Sequence, residues 1–171
     1  MLIKFLKPNV TLYSGFDVGD ISEDAPDDIE GLDAAAAHVA NLFSTEPADI
    51  KLGVGGFSMG AATSLYSATY FTHGKYENGN PYPPNLSAVV GLSGWLPCSR
   101  TLKNKIRQDE AARRATCLPI LLCHGKGIYN HIHKCKLSLV YSWLGHYTIP
   151  EEMEDVCAWL TSKLGLGGRS A

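Results

Sequence analysis

The stretch Ile50-Lys-Leu-Gly-Val-Gly-Gly-Phe-Ser-Met-Gly-Ala-Ala62 constrains this chain more than any other. Gly56-Phe57-Ser58-Met59-Gly60 fits G-x-S-x-G, a strand-to-helix turn that holds a serine in a cramped backbone conformation and lifts its hydroxyl above the end of a sheet. The bare pattern arises by chance in chains rich in Gly and Ser, so its flanks decide. Upstream, Ile50, Leu52 and Val54 are apolar with glycines between them, as in a strand buried on both faces where neighbouring backbones come close. Downstream, Ala61, Ala62, Leu65 and Ala68 predict a helix whose first turn is small enough to lie tightly on that strand. Ser58 is therefore the candidate nucleophile.

The 171 residues make one domain's worth of chain, and 45% hydrophobic with 19% charged residues is ordinary for a soluble globule with a real core. Residues 1–171 are read as a single domain. A formal net charge of -2 supplies no field for nucleic acid or for an anionic membrane surface, so partners must come from a site. The five cysteines are odd in number and contain no C-x-x-C, which indicates neither a disulfide framework nor a zinc ribbon and fits a reducing compartment. Lys4, Lys7 and Pro8 interrupt what a leader would need as an apolar run, so a cytoplasmic location is expected.

Around the elbow, periodicity predicts alternating helices and strands. Val10 to Phe16 reads as a short edge strand. Pro26 and the acidic run before Ile29 mark a helix start, and Ile29, Leu32, Ala36, Val39 and Phe43 predict its buried face, with His38 beside it and solvated. After the elbow helix, Asn78-Gly79 and the prolines between Pro81 and Pro84 predict a surface excursion without regular structure. Leu86 to Leu92 reads as a buried strand ending in Ser93-Gly94-Trp95, where Trp95 either lines a substrate channel or packs in the core. Arg100 to Arg114 mixes both signs of charge at helical spacing and reads as a solvated helix. Leu118 to Cys123 and Leu137 to Trp143 are two further strands. Thr148 with Glu151 predicts a capping box for a last helix with Met153, Val156, Cys157, Leu160 and Leu164 on its buried stripe and Gly165 as its stop. This alternation predicts an α/β fold with a mostly parallel sheet flanked by helices.

His146 lies in the glycine-flanked loop after the last predicted strand, downstream of the elbow serine. In this fold class that is the chain position of the catalytic base. His131-Ile-His133-Lys-Cys135 puts three potential ligands on one strand face, but a closed zinc site needs a fourth, so the segment reads as either a metal site or an aromatic and basic filler strand, with the filler favoured and no metal expected.

The blocks Phe16-Asp-Val-Gly-Asp20, Gly55 to Ala61, Gly91-Leu-Ser-Gly-Trp-Leu-Pro97, Leu122-Cys-His-Gly-Lys-Gly127 and Gly145-His-Tyr-Thr-Ile-Pro150 together resemble the acyl-protein thioesterase and lysophospholipase group of α/β-hydrolases, above all its plant-type members. The resemblance implies a cytosolic serine hydrolase of acyl thioesters or carboxylic esters that uses no cofactor. Its substrates would be S-acylated proteins or lysophospholipids and other small esters, met in transient contact with a membrane surface. It implies Ser58 as nucleophile, His146 as base, the Met59 backbone N–H as an oxyanion donor, and Trp95 at the border of the acyl channel. Two departures stand out. No His-Gly-x-Gly-Asp loop, the family's source of the second oxyanion donor, precedes Ser58, which implies that the amino-terminal strands of the sheet are missing. Ile128 stands where the family has the aspartate that orients the histidine, no Asp or Glu occurs between His124 and His146, and residues 128–143 diverge from the family. Loss of the acid typically lowers turnover by about 10⁴, and loss of an oxyanion donor by about 10² to 10³. Asn130 and Asp17 are the candidates to replace the acid. The alternative reading is a catalytically inactive relic of the fold that binds acyl groups.

Overall fold

The computed structural model describes residues 16, 26–47, 49–76, 78–83, 85–99, 109–125, 138–141 and 144–165. The predicted edge strand before Phe16, Asp17, Asn130 and the His131 to Cys135 segment lie outside the described residues, as does most of the stretch that carries the departures from the family. Within them, helices and strands alternate: α1 (Ile29–Ser44), β1 (Leu52–Phe57), α2 (Met59–His73), β2 (Leu86–Leu92), α3 (Asp109–Cys117), β3 (Ile120–Gly125), β4 (Ser138–Tyr141) and α4 (Pro150–Leu164). The four strands pair in parallel in the order β1-β2-β3-β4, so their carboxyl ends share one rim. This is the α/β architecture with a parallel sheet that the alternation predicts.

Apolar residues on successive strand positions build a core on each face of the sheet. One cluster joins Val54, Val89 and Leu122 of the strands to Leu65 of α2 and to Val39 and Phe43 of α1. The other face packs Ala88, Val90, Leu121 and Cys123 against Val156, Leu160 and Leu164 of α4. Each of those three α4 side chains is almost fully buried, a contribution of about 1.5–3 kcal/mol apiece. α2 is covered on nearly every side, because α1 and α3 flank it while it lies on β1 and β2. The hydroxyls of Tyr66 and Tyr70 both donate to Oδ1 of Asp33, the former at 2.7 Å, and tie α2 to α1.

Several boundaries and faces differ from the sequence reading. Pro26 precedes α1 as expected, and the residue that caps the helix is Asp28, which accepts the Gly31 N–H at 3.1 Å. Ile29, expected on the buried face, is 52% exposed, because the buried stripe starts at Gly31 and Leu32. The capping box of Thr148 and Glu151 does not form: α4 begins one residue later, with Ile149 at the cap and Pro150 in the first position. The buried stripe of α4 is Glu152, Val156, Leu160 and Leu164, spaced by four, which leaves Met153 and Cys157 facing outward. The excursion after α2 is a closed turn. Lys75 and Pro81 form an antiparallel bridge, the Tyr76 N–H donates to the Asn80 carbonyl at 2.8 Å, and Tyr82 is buried against the rings of Tyr70 and Tyr76.

Candidate active site

β1 ends at Phe57 and α2 begins at Met59, so one residue makes the whole connection. That residue, Ser58, has φ 57° and ψ -120°, a region that non-glycine residues enter at a cost of about 1–3 kcal/mol. The strain is held in place by hydrogen bonds on both sides. The Ser58 N–H donates to the Leu92 carbonyl at 2.9 Å, and the Ser58 carbonyl accepts from the N–H groups of Ala61 and Ala62. The turn is also packed too closely for larger residues. A Cβ on Gly56 would lie 2.3 Å from the Gly60 carbonyl carbon, and one on Gly94 would lie 2.4 Å from the Ala61 Cβ and 2.9 Å from the Ser58 carbonyl oxygen. Gly94 is thus part of the elbow although it lies on β2's exit, 36 residues downstream of Ser58. Its signal in the sequence was the Ser93-Gly94-Trp95 turn at a strand end. Gly60, by contrast, has open space around it.

The register carries the site across the rim. Phe57 pairs with Leu92 and Leu92 with Cys123, so Ser58, Ser93 and His124 follow one another across three adjacent strands. Ser93 also has positive φ, 49°, and its N–H donates to the Cys123 carbonyl at 2.8 Å. His124 is fully buried, neither ring nitrogen has a hydrogen-bond partner among the described residues, and burial lowers its pKa. The Cys123 thiol, on the other face, is pushed up to about 12 by burial and by the nearby Glu152 and Asp155 carboxylates.

His146 reaches Ser58 from the loop between β4 and α4. Its Nε2 lies 3.0 Å from the Ser58 Oγ, a hydrogen bond between residues 88 apart in sequence. The ring is solvent-exposed, and its centroid lies 4.7 Å from that of Phe57 with a 40° tilt. Ser58 is its one hydrogen-bond partner among the described residues. The loop is anchored by Leu144, which is buried and whose backbone passes so close to β3 that a Cβ on Gly125 would sit 1.9 Å from the Leu144 oxygen. Met59 opens α2, and the N–H groups of a helix's first turn have no acceptor within the helix. Trp95 is half-buried, packs, like Met59, against the cluster of Ala62, Tyr66 and Tyr70, and meets Phe16 edge-on at 6.4 Å. The structure thus gathers Ser58, Met59 and His146 at one rim, with Trp95 on the cluster against which Met59 also packs.

The sequence profile of the Phospholipase/Carboxylesterase family matches residues 8–129. The crystal structure of Zea mays acyl-protein thioesterase 2 superposes with a TM-score of 0.80 at 63% identity, over 88% of this chain and 72% of that one. Arabidopsis thaliana SOBER1, at 22% identity and TM-score 0.64 over 87% of this chain and 73% of its own, shares the fold. Acyl-protein thioesterase 1 of Gibberella zeae is 29% identical over 81% of this chain, which spans 60% of the length of that relative. The profile match covers more than half of the chain and the maize structure is well above the identity at which fold and family travel together: the chain belongs to the phospholipase/carboxylesterase family of α/β-hydrolases.

Proposed function

We propose that this chain hydrolyses acyl thioesters or carboxylic esters through Ser58 as nucleophile and His146 as base. The observation that carries the reading is the 3.0 Å contact between the Ser58 hydroxyl and the His146 Nε2 at the carboxyl rim of the sheet. In the first step the Ser58 oxygen bonds to the acyl carbon as its proton passes to Nε2, and the carbonyl oxygen takes the negative charge. The Met59 N–H faces that charge as an oxyanion donor. The imidazolium then protonates the leaving thiol or alcohol, and water repeats the sequence on the acyl-serine. Trp95 and Phe16 border the path of the acyl chain. S-acylated proteins are the favoured substrates, since the maize and Gibberella relatives are named as acyl-protein thioesterases, with lysophospholipids and small esters as further ones.

The expected rate is low. No carboxylate among the described residues bonds to the His146 ring, and an unoriented imidazole costs up to about 10⁴ in turnover. Thioesters suffer least, because a thiolate leaves readily. The test is reaction of the purified protein with a fluorophosphonate probe. Labelling that Ser58→Ala abolishes, and that His146→Ala slows at least about 10²-fold, is the expected result. A folded protein that stays unlabelled would leave the acyl-binding relic as the surviving reading.

A further inference from the structure

The base in this site is an exposed side chain on a loop whose neighbours Gly145, Tyr147 and Thr148 are exposed too. One hydrogen bond at 3.0 Å fixes a point on the imidazole, not its plane, so rotation about χ1 and χ2 remains. A carboxylate on Nδ1 normally removes that freedom. Among the described residues the second contact to the ring is aromatic: Phe57, with centroids 4.7 Å apart and planes at 40°.

We propose that Phe57 is a positioning residue for His146, holding the imidazole plane against Ser58 where no described carboxylate orients it. This rests on the reading of Ser58 and His146 as nucleophile and base. Phe57 is suited to the role because it is itself fixed. Its backbone pairs with Leu92 as the last rung of β1, and its side chain packs against the cluster that includes Leu92, Cys123 and Val156. It also directly precedes the strained Ser58, so the two contacts that define the ring's position come from consecutive residues of one rigid turn. Any displacement of β1 moves both together and preserves the angle between hydroxyl and imidazole. As the Ser58 proton arrives at Nε2, the negative face of the Phe57 ring favours the positive charge that forms. An aliphatic side chain of similar size fills the same space but offers neither the flat surface nor the quadrupole.

The test compares Phe57→Leu with Phe57→Tyr. Loss of a cation–aromatic contact corresponds to about a fivefold change in rate. Phe57→Leu is expected to lower kcat for a p-nitrophenyl ester and the rate of fluorophosphonate labelling by about that factor with KM unchanged, while Phe57→Tyr stays within about twofold of wild type. The His146 ring protons should be shifted upfield by the Phe57 ring current in the wild-type NMR spectrum and return to ordinary positions in Phe57→Leu. Equal rates for a folded Phe57→Leu variant overturn the proposal, and so does an equal loss for Tyr and Leu. Should the Leu variant not fold, the wild-type spectrum decides, since unshifted ring protons exclude the contact. The two readings fail differently. If Ser58 is not the nucleophile, the wild-type protein does not label although the ring-current shift is present. If only the role of Phe57 is wrong, labelling depends on Ser58 and is indifferent to Phe57→Leu.

Discussion

The nucleophile and the base of the proposed site are held by opposite means. Ser58 is fixed by backbone: a positive φ, hydrogen bonds to Leu92, Ala61 and Ala62, and glycines at 56 and 94 that let the first turn of α2 lie against the strand ends. Among the described residues, His146 is met by side chains, one hydroxyl and one aromatic ring, on a loop that buried Leu144 pins to the core. The elbow is therefore over-determined and the base loop under-determined. In a catalytic dyad this difference assigns stability to one half and the rate to the other.

The largest expected effect breaks the over-determined half. Gly56→Ala drives a methyl into the backbone of Gly60 and Ala61, at 2.3 to 2.8 Å, and neither can move without unwinding the start of α2. A loss of about 3 kcal/mol in urea unfolding is expected, at the upper end of overpacking costs. A loss below about 1 kcal/mol would show that the elbow is softer than its contacts imply.

Next comes the contact under the base loop. Gly125→Ala sets a methyl against the Leu144 oxygen, which must retreat by more than 1 Å to restore an ordinary contact. Because the loop is exposed from Gly145 to Thr148, it has room to yield. The expected balance is the reverse of Gly56→Ala: about a 10²-fold fall in ester hydrolysis, the usual consequence of a displacement of about 1 Å at a reacting pair, with a loss of stability of about 1 kcal/mol, because the buried Leu144 shifts while the exposed residues after it give way. If Gly125→Ala instead costs as much stability as Gly56→Ala, the base loop belongs to the rigid core and the contrast between the two halves fails.

The same contrast explains what could be read from the sequence. The elbow was legible because sterics between backbones demand glycine and alanine at fixed local offsets, and Gly56, Ser58, Ala61 and Ala62 lie within seven residues of one another. The strands β2 and β3 were legible as apolar runs, and the helix stop at Gly165, with φ 66°, as a glycine after a periodic segment. His146 was located from chain order, whereas its contact with Phe57 was not foreseen, since nothing local to either residue encodes a meeting 89 positions apart. Glu152 stands in an acidic first turn and carries no local mark of burial, yet it is fully buried, because it falls four residues before Val156 on the stripe that α4 turns to the sheet.

Glu152 provides the smallest of these effects and sharpens the comparison from the stability side. It sits in the first turn of α4, the helix that the base loop leads into, and no described residue forms a standard hydrogen bond to either carboxylate oxygen. Burial raises its pKa above the ordinary value of 4.5, and the Ile149 backbone N–H offsets this only in part. Cys123 of β3, Tyr141 of β4 and Asp155 of α4 face the same region, and the Tyr141 hydroxyl donates to Asp155 at 2.6 Å. None of them is a cation. The folded state therefore favours the protonated acid: its stability is fully present below 4.5, and is lost as pH rises through the raised folded value. Glu152→Gln keeps the shape and removes the proton equilibrium, so it should match the wild type at low pH and exceed it by about 1–2 kcal/mol near neutrality. His124, buried on the opposite face with its pKa lowered, acts in the other direction. Its stability is complete above the ordinary 6.5 and falls as pH drops toward the lower folded value, so Glu152→Gln should leave that acid limb in place. Urea unfolding of both proteins from pH 4 to 8 checks the sign. Two parallel curves would mean that folding leaves the Glu152 proton equilibrium unshifted, and that the buried carboxyl adds no pH-dependent weakness to this side of the sheet.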